Sequence, residues 1–308
     1  MKNSSIGGEA LIEGVMMRGP ESVAIAIRKP DGEIIIDKKP LNTLAMRYKI
    51  FKAPIIRGMV GLLESMILGV KALMFSAEFV ETEDGETSKP SRFDGFLQKV
   101  FGDKLQSAIT YFSVILALAM GIGLFILLPN LLSGLLGFDK GTTAGQIYYN
   151  LVEGFLRVSL FFGYIVLISK LKDIQRVFQY HGAEHKTIHC YEHEEELTVE
   201  NVRQYTTRHC RCGTAFLFIV MLVSILVFSF SGWHSIWMNI LLRLLLIPLV
   251  AGISYEILKF AGKSNGKIMG IVSMPGLLLQ KFTTQEPDDR QIEVAIVALN
   301  NVLVDAER

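Results

Sequence analysis

LQSAITYFSVILALAMGIGLFILLPNLLSGLLGF, residues 105–138, contains no charged side chain. A bilayer's hydrocarbon core is about 30 Å thick and a helix rises about 1.5 Å per residue, so roughly 20 residues cross it. The stretch is long enough to span, and so is a second charge-free stretch, Cys212–Leu242. Half of the 308 residues are hydrophobic and the mean hydropathy is +0.38, more apolar than an ordinary soluble domain. These features predict an all-α integral membrane protein with about four transmembrane helices, near 108–129, 149–170, 213–231 and 234–258.

Charge outside these segments sets the orientation. Residues 170–212 carry Lys170, Lys172, Arg176, Lys186, Arg203, Arg208 and Arg211, and the tail adds Lys259, Lys263, Lys267, Lys281, Arg290 and Arg308. The opposite connections carry only Lys140. The positive-inside rule then predicts a multi-pass protein of the bacterial cytoplasmic membrane with both termini cytoplasmic, and Trp233 and Trp237 at the outer interface. Residues 1–50 lack the short charge-free run of a secretory signal peptide. Cys190, Cys210 and Cys212 form no extracellular disulfide framework.

Five regions follow. Residues 1–54 form a cytoplasmic β-containing region, with Ser22–Arg28 and Glu33–Lys38 paired as a hairpin through Lys29-Pro30-Asp31-Gly32. In residues 55–80, Arg57, Glu64, Lys71 and Glu78 recur every seven positions on an otherwise apolar helix. That stripe either faces water from an amphipathic interfacial or re-entrant helix, the reading the basic flanks favour, or lines a polar groove. Residues 81–107 are a linker. Residues 108–258 hold the four-helix transmembrane region with a histidine-rich cytoplasmic loop at 171–212. Residues 259–308 form a cytoplasmic C-terminal region whose residues 290–304 show helical spacing of Ile292, Ala295, Ile296, Leu299 and Leu303.

The loop holds the chemistry. His181, His185, His189 and His193 follow one another at i, i+4 and so stack on one helical face. His181-x-x-Glu184-His185 fits an H-x-x-E-H pattern in which two histidines hold zinc, or another divalent transition metal, and the glutamate acts as base. The third ligand comes from His209, Cys212 or Glu256. A structural metal site and a metal-free amphipathic helix are the competing readings, and Gly182 costs such a helix roughly 1 kcal/mol relative to alanine. Three charges fall inside apolar segments: Glu153 and Arg157, spaced to pair, and Arg243. Such groups mark polar interiors or pathways, or snorkel to the border. Ala117-x-x-x-Gly121 and Ala119-x-x-x-Gly123 permit close helix contact, within a chain or in a homo-oligomer.

Gly7-Gly8-Glu9-Ala10, Glu13 to Gly19, Tyr180 to Thr187, Arg211 to Phe216 and Thr283 to Asp289 together resemble the YqhQ family, over nearly the whole chain. This is a bacterial membrane family of unknown function carrying a metal-dependent enzyme label. The resemblance implies that His181, Glu184, His185, His209 and Cys212 form its site. Cys210 stands where the family's His-Pro-Arg-Cys-Gly-Thr motif has proline, and His189 where asparagine is common.

Three functions of different class remain open: a metal-dependent hydrolase at the cytoplasmic membrane face, a scaffold or assembly factor binding other membrane proteins, and an oligomeric transporter using Arg243 and the striped helix. The bilayer is the one partner common to all three. There is no glycine-rich phosphate loop and no defensible Ser/His/Asp arrangement. The basic residues are placed as topology signals, which argues against nucleic acid.

Overall fold

Alternation along two short apolar runs sets up a sheet that is covered on both sides. In the computed structural model, which describes residues 6–79, 105–138, 141–209, 212–230, 236–263 and 267–303, strands β1 (Gly7–Leu11), β2 (Gly14–Arg18), β3 (Ser22–Arg28) and β4 (Ile34–Pro40) form an antiparallel meander in that order. The expected hairpin is its second half, so the chain is mostly helical rather than all-α. The first half escaped notice for a physical reason. β2 is buried on both faces and therefore does not alternate between apolar and polar, while β1 begins with two glycines.

Short helix α1 (Leu44–Arg47) leads into α2 (Ile56–Ala77). Two units follow from the contacts within the chain: Met1–Val80 with Phe162–Ser231 and Leu242–Arg308, and Glu81–Phe161 with Gly232–Leu241. In the second unit, α3 (Leu105–Ile122) continues through a π-helical turn (Gly123–Leu127) into α4 (Leu128–Gly134). Helix α5 (Thr143–Ile168) follows. The buried carboxylate of Glu153 accepts from Arg157 at 2.5 Å, and Arg157 Nε donates to the Phe125 carbonyl at 2.9 Å, inside the π-helical turn.

The first unit carries the remaining helices: α6 (Lys172–Glu192), α7 (Val199–Arg203), α8 (Gly213–Phe230), most of α9 (Ile236–Lys263), α10 (Lys267–Thr283) and α11 (Asp289–Leu303). On one sheet face Val15, Met17, Ala24 and Ala26 pack with Tyr180, Ala183 and Ile188 of α6 and with Ile292, Ala295, Leu299 and Val302 of α11. On the other, Leu11, Met16, Val23, Ile25 and Ile27 meet Leu68, Ala72 and Phe75 of α2. Full burial of a side chain such as Leu or Ile stabilises by about 1.5–3 kcal/mol, so α11 is a structural element of this core. A third cluster joins Ile219, Val223 and Phe228 of α8 to Val250 of α9, where the Arg243 guanidinium lies over the Phe228 ring, 5.5 Å from its centroid.

Four helices among the described residues are long and apolar enough to cross a membrane: Ile56–Ala77, Phe112–Gly134, Thr143–Ile168 and Trp237–Phe260. Among the described residues, the expected span at 213–231 contains a shorter apolar segment, Phe216–Phe230, about 22 Å at 1.5 Å per residue. The helix over 55–80, expected to lie in the interface, meets the length and composition of a span. The first half of its charged stripe meets the protein, while Lys71 and Glu78 stay exposed. Arg57 pairs with Glu256, Glu64 accepts from the Leu44 N–H at 2.6 Å, and Glu64 and Lys71 line a groove of about 350 Å³ against β3 and β4. Its large side chains Leu63 and Met66 are exposed. Most of the linker 81–107, together with Cys210, Arg211, Lys140 and Trp233, lies outside the described residues.

Candidate metal centre

Helix α6 starts after a break at Leu171, whose extended backbone (ψ 129°) separates it from α5. This frees α6 to lie against the sheet, and its polar face is turned inward: Glu184 is 4 % exposed and His185 1 %. Gly182 admits the close approach that makes this possible. A side chain there would collide with the Gln285 carbonyl, and the Gln285 N–H donates to the Phe178 carbonyl at 2.9 Å. The glycine that weakens the helix in isolation is the point at which the segment after α10 docks.

His181, His185 and Cys212 each offer a ligand atom within 4.8 Å of the others. His181 Nδ1 donates to the Thr283 carbonyl at 2.8 Å and His185 Nδ1 to the Thr207 carbonyl at 2.6 Å. A carbonyl only accepts, so both Nδ1 atoms carry a proton, and in the neutral ring Nε2 keeps the lone pair. This is the outer-shell pattern that orients metal-ligating histidines. His181 Nε2 lies 3.3 Å from Cys212 Sγ, close to the roughly 3.6 Å expected between nitrogen and sulfur ligands around a tetrahedral zinc ion. Burial pushes His185 below the ordinary histidine value, which keeps it neutral and able to ligate.

Glu184 Oε2 lies 3.8 Å from His181 Nε2 and 4.0 Å from His185 Nε2. Burial pushes its carboxyl up, while His181 and a hydrogen bond from the Gly8 backbone act in the opposite sense. Gly8 admits this contact, since a Cβ there would stand 2.7 Å from Glu184 Cγ. Glu9, next along β1, is likewise pushed up by burial and by the Glu184 carboxylate.

Two of the expected ligands go elsewhere. Glu256 is held by Arg57, whose Nε donates to it at 2.7 Å. His209 joins a second group with His189 and Glu192. Gln280 of α10 fixes its backbone, accepting from the His209 N–H at 2.8 Å and donating to its carbonyl at 2.9 Å. His193 lies beyond both groups, its ring 4.9 Å from that of Tyr205. Sequence reasoning missed Glu9, Glu192, Thr207, Gln280 and Thr283. The Gly-Gly-Glu run was a usable signal for Glu9. Glu192 stands in a second H-x-x-E-H run, His189-x-x-Glu192-His193, whereas Thr207, Gln280 and Thr283 act through tertiary placement and leave no local pattern.

Two imidazoles and a thiol gathered beside a buried carboxylate, together with four helices of membrane-spanning length and composition among the described residues, give the chain a membrane-like character. The comparisons assign it further. Residues 53–305 match the family described as Protein of unknown function (DUF1385), and the chain belongs to that family. It is 35 % identical to "Uncharacterized protein YqhQ" of Bacillus subtilis (strain 168), over 96 % of this chain and 92 % of the relative. No solved structure matches.

Proposed function

We propose that this chain is a metal-dependent hydrolase working at the cytoplasmic face of the bacterial membrane. The observation that carries the reading is the convergence of His181 Nε2, His185 Nε2 and Cys212 Sγ with the Glu184 carboxylate beside them. Two nitrogens and one sulfur suit zinc, and three protein ligands leave a position open. Zinc bound there would lower the pKa of a water to about 7. Glu184, held by the Gly8 N–H in an environment that raises its proton affinity, serves as the base that receives a proton. Thr283 and Thr207 hold the imidazole orientations. The basic loop and tail support a cytoplasmic side for this site and both termini.

The exposed Leu63 and Met66 of α2 suit a helix lying at or in lipid with the sheet on its cytoplasmic side. The Gly121 and Gly123 positions of the small-residue face have open space around them, which suits lipid or a second copy. A second reading rests on Glu184 itself. Its oxygen is near enough to both imidazoles to close the shell as a fourth ligand, giving a structural site in a scaffold that binds other membrane proteins.

One variant separates the two readings. Glu184→Gln in detergent-purified protein should keep its zinc and lose hydrolysis of a mixed fluorogenic peptide library. Loss of the zinc instead would identify Glu184 as a ligand, and an inert wild type with zinc bound would leave the scaffold reading.

A further inference from the structure

We propose that His189, Glu192 and His209 form a second divalent-cation site, separate from the His181–His185–Cys212 group and of different chemical preference. Their ligand atoms lie within 4.8 Å of one another. The group is built into the fold. Glu192 is 3 % exposed and His209 5 %, and the two hydrogen bonds from Gln280 hold the His209 backbone. His189 and Glu192 share the last turn of α6, three residues apart and hence on one face.

The distance between His209 Nε2 and Glu192 Oε2 is informative. At 3.3 Å it is long for a charge-assisted hydrogen bond, which runs about 2.7–2.9 Å. It matches the roughly 3.4 Å between a nitrogen and an oxygen ligand sharing a tetrahedral ion. His189 Nε2 donates to the Arg208 carbonyl at 2.9 Å, which leaves the lone pair on Nδ1.

The donor set is two nitrogens and one oxygen, with no sulfur. Such a set accepts zinc but also harder ions such as iron(II) or manganese(II), whereas the Cys212 group favours softer ones. The His185 and His209 rings lie 5.7 Å apart, so α6 carries the two sites one helical turn from each other.

Cobalt(II) titration of the detergent-purified full chain, stripped with chelator, separates them. Wild type should take up about two equivalents, one with thiolate-to-cobalt charge-transfer absorption. Cys212→Ser should abolish that absorption and keep the second equivalent. His189→Asn/Glu192→Gln should keep the absorption and lose the second equivalent. Cys190 contributes no thiolate, because its buried Sγ is turned to the Glu195 and Glu196 carbonyls. A single equivalent in wild type that carries the thiolate band overturns the proposal, as do two equivalents in the double variant. The wild-type stoichiometry decides even if the double variant fails to fold. Absence of the thiolate band, with one equivalent still lost in the double variant, would sink the hydrolase reading and leave this site standing.

Discussion

Helix α6 is rich in charged and polar side chains, yet ten of its residues are buried, among them Glu184, His185, Lys186 and Glu192. Helix α3 and its continuation to Gly134 are almost wholly apolar, yet Phe112, Ile115, Leu118 and Met120 stand exposed. In water alone this distribution would be inverted, because apolar area removed from water contributes about 25 cal/mol per Å² and buried charge is costly. The inversion is consistent if two solvents act on one chain. Around α6 the protein itself supplies donors and acceptors: Lys186 Nζ reaches the Arg203 carbonyl at 3.0 Å and Glu286 at 2.6 Å. Around α3, on the reading proposed above, lipid supplies the apolar contact.

The comparison can be broken at either end. The largest effect belongs to the core under α6 and α11. Leu299→Ala, at a fully buried position, should destabilise by about 2–5 kcal/mol, read as a lower melting temperature of the purified protein. Next comes the apolar helix. Met120 is 67 % exposed, and arginine at that position should be tolerated on a water-facing surface. On a lipid-facing helix centre it should disfavour insertion by about 2.5–3.5 kcal/mol. A glycosylation-based insertion assay distinguishes the two, and unchanged insertion would remove the lipid explanation. The smallest effect sharpens the account of α6. From helix propensity alone, Gly182→Ala should stabilise by about 1 kcal/mol. The collision with the Gln285 carbonyl predicts the opposite sign, a loss of about 1–3 kcal/mol, again read by thermal melting.

Much of this was legible in the sequence wherever one physical signal dominates. Charge-free length located α3 and α8, but it passed over α2, whose charges hid a helix of spanning length. The Lys29–Gly32 turn located β3 and β4, and i, i+4 histidines located α6. Legibility failed where two demands overlap. β2 must be apolar on both faces and so loses its period, and α10 holds Pro275 within an apolar run that does not advertise a helix. It also failed where partner choice is tertiary. Nothing local says that Arg57 takes Glu256, or that Gln280 draws His209 toward Glu192 and leaves Cys212 to the first two histidines.

The most direct test of the central claim is X-ray absorption at the zinc edge of the purified, zinc-loaded protein, wild type beside Cys212→Ser. The account predicts a sulfur neighbour at about 2.3 Å in wild type, absent from the variant, and one zinc fewer per chain in His181→Ala/His185→Ala. Zinc surrounded only by nitrogen and oxygen in wild type, or no zinc bound at all, would contradict it.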